Sequence, residues 1–547
     1  MVDTAETAAL QTEALPTTYS WVRSDRRTYI FHVATILACG AAFRLLYQVT
    51  YKPFWSGDSP NYSDMFYFWT LHTYSTAKRT PIYSLFLGLV QRLAGDAPAI
   101  GGMGAPSQYL AVRLQCLLGL LAALLVYFSL RALAVRPKLA LAGAICFALV
   151  GAICLFELFV LSELLSLFFL MLGTWLFLRC MRSVNNGTSF TSMALLDGAC
   201  FGLAILTRPE NLVFFLAITF VLAVLALRCC YLPGMKLAAG SLTKMALLLV
   251  ISTVPLVLCW MSWNLVSFGQ FRINTLNGLT RTESVYNMFN LVDTEDQVVG
   301  AILWRSYLLR NGNGHICRHH VWVAFDNGDL STAWQLGLLP IHLPRVNRPE
   351  NALVIKARNW LDRHLGINKP MVVVEPVDLW DYLGHVSWKL AKKHPALYLH
   401  NVLNNFASDT LDYSYQPPSP SETADPHAPE GGSVVRHTSL YWVTVWINRL
   451  EAPVLTASYV VLLAYVLFSP VVLLLGRDRE HLLRDGAVVA LAMGAFATIL
   501  CSCVFAAYYP QHGVPFMGVL VICVVFAVSN SRRIVQFWGP LPVGSAC

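Results

Sequence analysis

Met193-Ala194-Leu195-Leu196-Asp197-Gly198-Ala199-Cys200-Phe201-Gly202-Leu203-Ala204-Ile205-Leu206-Thr207 is the stretch on which the fold turns. It is shorter than the roughly 20 apolar residues that cross a ~30 Å hydrocarbon core, so on length alone it is a weak span. Nine stronger apolar runs lie near 29–49, 111–133, 138–157, 161–180, 210–227, 245–263, 453–475, 487–507 and 513–529. Lys and Arg beside spans are retained on the cytoplasmic side, and this rule decides whether 193–207 counts. The basic clusters are Arg23, Arg26 and Arg27; Arg131, Arg136 and Lys138; Arg179 and Arg182; Arg228, Lys236 and Lys244; Arg477, Arg479 and Arg484; and Arg532 and Arg533. With 193–207 included, about ten spans put every cluster inside. Without it, the later clusters fall on the wrong face.

The rest of the chain fits that reading. Of its 547 residues 56% are apolar and only 13% charged, and the mean hydropathy is +0.54. Such values belong to a polytopic membrane protein rather than a string of soluble domains. The fold class expected is mainly α: a polytopic transmembrane helical bundle with both termini cytoplasmic. Residues 1–28 lack the pattern of a cleaved signal, so they read as a cytoplasmic tail and the first span as a retained anchor. The net charge of +8 reflects topology. No basic stripe interleaved with aromatics points to nucleic acid. Most of the 14 cysteines lie in or beside spans, and Cys317 stands alone in the large external segment, so no disulfide framework is expected there.

The expected organisation is a transmembrane core over 29–263, with a first external loop at 50–110, then an extracytoplasmic, mostly helical domain at 264–452. C-terminal transmembrane helices follow at 453–529 and a cytoplasmic tail at 530–547. The first loop is longer than a tight connection needs. Within it Ile82, Leu85, Phe86, Leu89 and Leu93 recur at helical spacing, which predicts an amphipathic helix over 81–93 on the outer membrane surface. In the external domain, 351–366 and 377–404 read as helices and 417–432 as a loop. No repeat of fixed period and no duplicated halves stand out.

Chemistry-bearing residues gather at the outer ends of the spans. Gly57-Asp58-Ser59-Pro60-Asn61-Tyr62 follows the first span, with Asp64 just after. A carboxylate at a membrane boundary suits a general base, although a hydrated loop aspartate is an ordinary alternative. Lys78 and Arg79 precede the surface helix, where exposed amides also favour anions; they hold a phosphate or snorkel to headgroups. Glu157 and Glu163 bracket the outer turn between the third and fourth spans, and at least one is expected to share a cavity with Asp58. Arg208, beside Pro209 at the end of the fifth span, is either a phosphate ligand or the partner of Glu210. Arg44, inside the first span, is expected to snorkel outward. His512 lies in the last external loop, within reach of the same cavity or in an aromatic belt. The cluster of His315, Arg318, His319 and His320 lacks the acidic partner and spacing of a zinc site.

The order of these motifs resembles the GT-C class of polytopic membrane glycosyltransferases, close to the bacterial group related to protein O-mannosyltransferases and lipid A aminoarabinose transferases. It is carried by Asp58, Arg79-Thr80-Pro81-Ile82-Tyr83, Leu206-Thr207-Arg208-Pro209, Trp263 to Phe271 with Asn277-Gly278, His394-Pro395 and Tyr509-Pro510 to Pro515. The resemblance implies a polyprenyl-phosphate sugar donor, used at the extracytoplasmic face of a bacterial inner membrane, and a lipid, glycan or protein acceptor. It implies transfer of a hexosyl or pentosyl group with inversion. Asp58 would be the catalytic base, with Arg79, Lys78 and Arg208 binding the donor phosphate. Tyr62, Asp64, Tyr83, Glu157, Glu163 and His512 would line the substrate cavity. This chain has Ser59 where many relatives have a second carboxylate, and Tyr508-Tyr509 where many have Arg-Tyr. No cofactor is called for, and a divalent metal stays open. Two other classes compete: a lipid or polysaccharide transporter, and an O-antigen ligase or polymerase with a diphosphate-linked donor.

Overall fold

The computed structural model describes residues 26–55, 59–70, 79–97, 102–268, 271–274, 282, 284–285, 287–311, 330, 332–333, 336, 338–339, 377–411, 435–475, 479–505 and 514–538. Its first elements are α1 (Arg26–Thr50), α2 (Ser59–Thr70), α3 (Pro81–Ala94), α4 (Ala105–Ala132), α5 (Pro137–Ala148), α6 (Gly151–Leu158) and α7 (Glu163–Asn186). There follow α8 (Thr191–Thr207), α9 (Asn211–Tyr231), α10 (Lys236–Phe268), α11 (Gln297–Asn311), α12 (Val377–Lys393) and α13 (Pro395–Leu411). The last are α14 (Thr438–Leu475), α15 (Arg479–Phe505) and α16 (Met517–Trp538).

Every apolar run read from the sequence falls on a helix, although not every one is a single straight span. Among the described residues 7 helices are long and apolar enough to cross a membrane, or 8 if α5 and α6, bent by 44°, form one broken span. α8 and the stretch Val514–Asn530 are shorter apolar helices. Large apolar side chains stay exposed along outward faces, such as Leu216, Phe220 and Leu227 on α9 and Leu247, Ile251 and Leu258 on α10. In water such stripes would be a liability; against acyl chains they are the solvated surface. The protein is an integral, multi-pass membrane protein.

The short apolar helix α8 is held by close backbone approach. Gly198 and Gly202 sit one turn apart on α8, and a Cβ on Gly198 would lie 2.6 Å from the Leu249 carbonyl oxygen of α10. Thr253 Oγ1 donates to the Gly198 carbonyl at 2.7 Å. Small residues at this spacing let two membrane helices pack where lipid offers no hydrophobic drive.

The expected single span over 138–157 is broken instead. Glu451 of α14 accepts from the Gly151 and Ala152 amides at the start of α6, satisfying donors that a new helix leaves orphaned. Tyr47 of α1 donates to Asn448 Oδ1 at 3.1 Å beside it. Arg44 corrects a second expectation, for it does not snorkel. It is buried, donates to Glu157 Oε1 through Nε at 3.0 Å and Nη2 at 2.6 Å, and reaches the Gly40 and Ala148 carbonyls through Nη1.

In the first loop, the surface helix forms as α3, with Pro81 at its start and Gly95 ending it at φ 75°. Leu85, Leu89 and Leu93 line its exposed face, as an interfacial helix requires. α2 forms within the segment expected as the first external loop and packs beside α3; the ring of Phe66 occupies the space a Cβ on Gly88 would need.

Beyond α10, a second hydrophobic cluster forms around Phe289, Leu303, Leu379, Trp380 and Leu383. The helical stretch expected over 377–404 forms as two helices, α12 and α13, because Pro395 opens a new helix after His394. Residues 351–366, 417–432 and the histidine cluster at 315–320 lie outside the described residues.

Candidate functional site

The first loop and the turn between α6 and α7 are stitched together. The Phe54 amide donates to the Leu158 carbonyl at 2.8 Å and the Val160 amide to the Phe54 carbonyl at 3.0 Å. Ser59 Oγ donates to the Val160 carbonyl at 2.9 Å, and the Tyr62 hydroxyl and Ser162 Oγ share a hydrogen bond of 2.9 Å. Residues on both sides of Asp58 in the chain are thus tied to the turn that ends in Glu163. Asp58, Lys78 and His512 themselves lie outside the described residues.

Glu163 opens α7, where the helix dipole favours a carboxylate. Its Oε1 lies 2.5 Å from Arg208 Nη1, and both side chains are buried. Arg208 occupies the extended residue at which α8 stops before Pro209, and its Nε also donates to Glu210. The break is fixed on two sides. Thr80, just ahead of α3, donates to the Thr207 carbonyl at 2.7 Å. Asn211 Nδ2, at the start of α9, donates to Ser166 Oγ at 2.8 Å and to the Ala204 carbonyl at 2.9 Å. Of the two roles that the sequence offers for Arg208, the structure contains the pairing with Glu210, and it adds a second pairing with Glu163 of the turn. Glu163 Oε2 is buried with no hydrogen-bond partner among the described residues, an oxygen able to accept from a substrate hydroxyl.

Arg79 is half-buried, its guanidinium 5.5 Å from the centroid of the Tyr62 ring. Tyr62 meets Tyr83 edge-on at 4.9 Å between centroids. Tyr83 is fully buried and donates to Gln115 Oε1 at 2.7 Å; Gln115 Nε2 in turn donates to the Glu157 and Phe159 carbonyls. Tyr83 thus supports the turn from beneath. Glu157 is committed to Arg44, and Gly119 makes room for that pair, since a Cβ there would fall 1.8 Å from Glu157 Oε1. Of the two glutamates of the turn, Glu163 is the one that reaches Arg208. Asp64 lies half-buried on α2. Asn211 and Ser162, neither singled out in the sequence, belong to the site. Among the described residues no three His, Cys, Asp or Glu side chains gather as a metal site.

Another element borders this end of the bundle. Trp260 of α10 donates from Nε1 to the Ile273 carbonyl at 2.8 Å, and Asn264 Nδ2 donates to the Arg272 carbonyl at 2.7 Å. Trp263 and Ile273 pack on Met65 of α2 and Leu206 of α8. The motif Trp263-Asn264 thereby folds residues 271–274 back toward the helix break that carries Arg208.

No match among curated proteins reaches significance. The fold is similar, with a TM-score of 0.45, to the Archaeoglobus fulgidus oligosaccharyltransferase AglB in complex with an inhibitory peptide and a dolichol-phosphate, at 13% identity over 96% of this chain and 53% of that one. It is similar, with a TM-score of 0.34, to ArnT from Cupriavidus metallidurans bound to undecaprenyl phosphate, at 14% identity over 94% of this chain and 81% of that one. The chain spans about half the length of the archaeal enzyme. Residues 35–232, which include α2, α3 and the whole Glu163–Arg208 group, match the model of the dolichyl-phosphate-mannose-protein mannosyltransferases. Over that stretch the chain is similar to this mannosyltransferase family.

Proposed function

We propose that the protein transfers a sugar from a polyprenyl-phosphate donor to a hydroxyl acceptor at the extracytoplasmic face, with inversion at the anomeric carbon. The observation that carries this reading is the stitching of Phe54, Ser59 and Tyr62 to the turn of Glu163. Asp58 lies between Phe54 and Ser59 in sequence, so a base there would work beside the buried Glu163–Arg208 pair. In the proposed reaction Asp58 takes the proton of the acceptor hydroxyl, the oxygen attacks the anomeric carbon, and the polyprenyl phosphate leaves with the bonding electrons. Arg79 and Lys78 receive the growing negative charge on the phosphate. Arg208 has Nε and Nη1 engaged by carboxylates, so its first task is to hold Glu163 in place, while Glu163 Oε2 accepts from a sugar or acceptor hydroxyl.

Purified protein in lipid, given a panel of polyprenyl-phosphate sugars, is expected to bind one donor saturably and to hydrolyse it slowly. Asp58→Asn should keep donor binding and lose transfer by 100-fold or more, the scale of a missing general base. Transfer at the parental rate by a folded Asp58→Asn protein would sink the base assignment. Binding of no monophosphate donor at all would shift the reading to a diphosphate-linked donor or to transport.

A further inference from the structure

The opposite end of α4 and α7 carries a second group of cations that the proposed chemistry does not use. Arg131 lies in the last turn of α4, and Arg179 and Arg182 lie near the end of α7, which packs beside it. Arg182 stands within the electrostatic reach of both Arg179 and Arg131. Arg131 also acts on His32 and Tyr127, which share a hydrogen bond of 2.9 Å. Aromatic rings flank the cations: Tyr29 stacks on Phe128 at 6.0 Å, Phe128 meets Trp175 at 6.2 Å, and the Arg179 guanidinium lies 5.4 Å from the Trp175 centroid. Along α7, Arg182 is about 28 Å from Glu163 at 1.5 Å per residue, so this is a different end of the bundle.

Orientation in the membrane requires positive charge in this region, but it does not require that charges from two separate connections converge. Like charges brought together repel, and a phosphate placed among them converts that repulsion into attraction, with guanidinium forks suited to its oxygens. Rings at the depth of a lipid headgroup suit the glycerol and upper acyl carbons. We propose that the basic end of the α4–α7 pair binds the phosphate of an anionic membrane phospholipid, with Arg131, Arg179 and Arg182 as its cations and Tyr29, Phe128 and Trp175 as its apolar wall.

The full chain in phosphatidylcholine nanodiscs, titrated with phosphatidylglycerol, tests this through the thermal midpoint and through lipid retained in native mass spectrometry. A saturable rise in midpoint and retained phosphatidylglycerol are expected for the parent. Arg131→Gln with Arg182→Gln should weaken the response about tenfold or more, since each cation near a lipid surface contributes a comparable share. Arg136→Gln with Lys138→Gln removes the same charge from the start of α5, further along the connection that follows Arg131, and should leave the response intact. Should the first pair fail to fold, Arg179→Gln alone should still reduce retained lipid. Equal stabilisation by phosphatidylcholine, or equal loss in both double variants, would overturn the site. Protection by inorganic phosphate as strong as that by phosphatidylglycerol would assign the cations to a soluble phosphate instead.

Discussion

The two buried arginines illustrate how one residue type serves different ends in a membrane bundle. Arg44 and Glu157 neutralise each other deep among helices, with Gly119 leaving them space. Removing one member of such a pair strands the other charge, so Glu157→Gln is expected to cost about 3–5 kcal/mol in stability. Replacing both, as Arg44→Met with Glu157→Leu, should recover most of it, measured by thermal or denaturant unfolding in detergent. Full stability of the single variant would show that Arg44 finds water. Arg208 differs because it holds Glu163 at the candidate site. Arg208→Lys keeps the charge but loses the fork that engages two carboxylates at once. It should leave the unfolding midpoint within a few degrees while transfer falls tenfold or more. From the sequence the charges were visible but their pairing was not. Arg44 and Glu157 are 113 residues apart, and nothing local to either position announces the other.

At the scale of elements, the helices were legible wherever hydropathy alone decides them, and least legible where a tertiary contact does. The broken span of α5 and α6 depends on Glu451, which arrives from α14 to accept from the Gly151 and Ala152 amides. α2 depends on packing against α3, where Phe66 fills the space above Gly88. The run at 193–207 forms the helix α8, and its holding device is Gly198 and Gly202, four residues apart in the sequence. That device bears on the proposed function because Arg208 follows directly on α8. A methyl group on Gly198 would lie 2.6 Å from the Leu249 carbonyl and 2.0 Å from Ser252 Oγ, so α8 must withdraw from α10. Gly198→Ala is therefore expected to destabilise by about 1–3 kcal/mol, the usual scale of overpacking, and to lower transfer as the Thr80–Thr207 tie is drawn apart. A variant of parental stability and rate would mean that α8 does not need this approach.

On the scale of the whole molecule, the spanning bundle and the cluster around Trp380 are two cores joined through α13. Tyr398 packs against both, Val402 belongs to the bundle core, and Phe406 meets Phe496 of α15 edge-on. A second tie runs from Asn264 through the Arg272 carbonyl, and Arg272 pairs with Asp381 of α12. Because that pair is partly exposed to solvent, Tyr398 should carry more of the coupling. The rim of the second core depends on charge. Lys389 bridges Glu295 and Asp296, while Lys393, by its hydrogen bond and positive field, holds the Asp293 carboxyl below the usual carboxylate range. A lowered carboxyl adds stability above its unfolded value of about pH 4 and loses it as pH falls through the lowered value. Acid should thus loosen the junction between α12 and residues 293–296 before it affects the bundle. Hydrogen exchange can separate the two cores: Tyr398→Ala is expected to speed exchange in α11 and α12 several-fold while α4 and α7 keep parental protection. Lowering the pH of the parent below 4, with exchange corrected for its intrinsic pH dependence, should reproduce the α12 part of that pattern alone. If α4 and α7 exchange faster by the same factor as α11 and α12, the two cores unfold as one cooperative unit, and the second cluster is part of the bundle that holds Arg208.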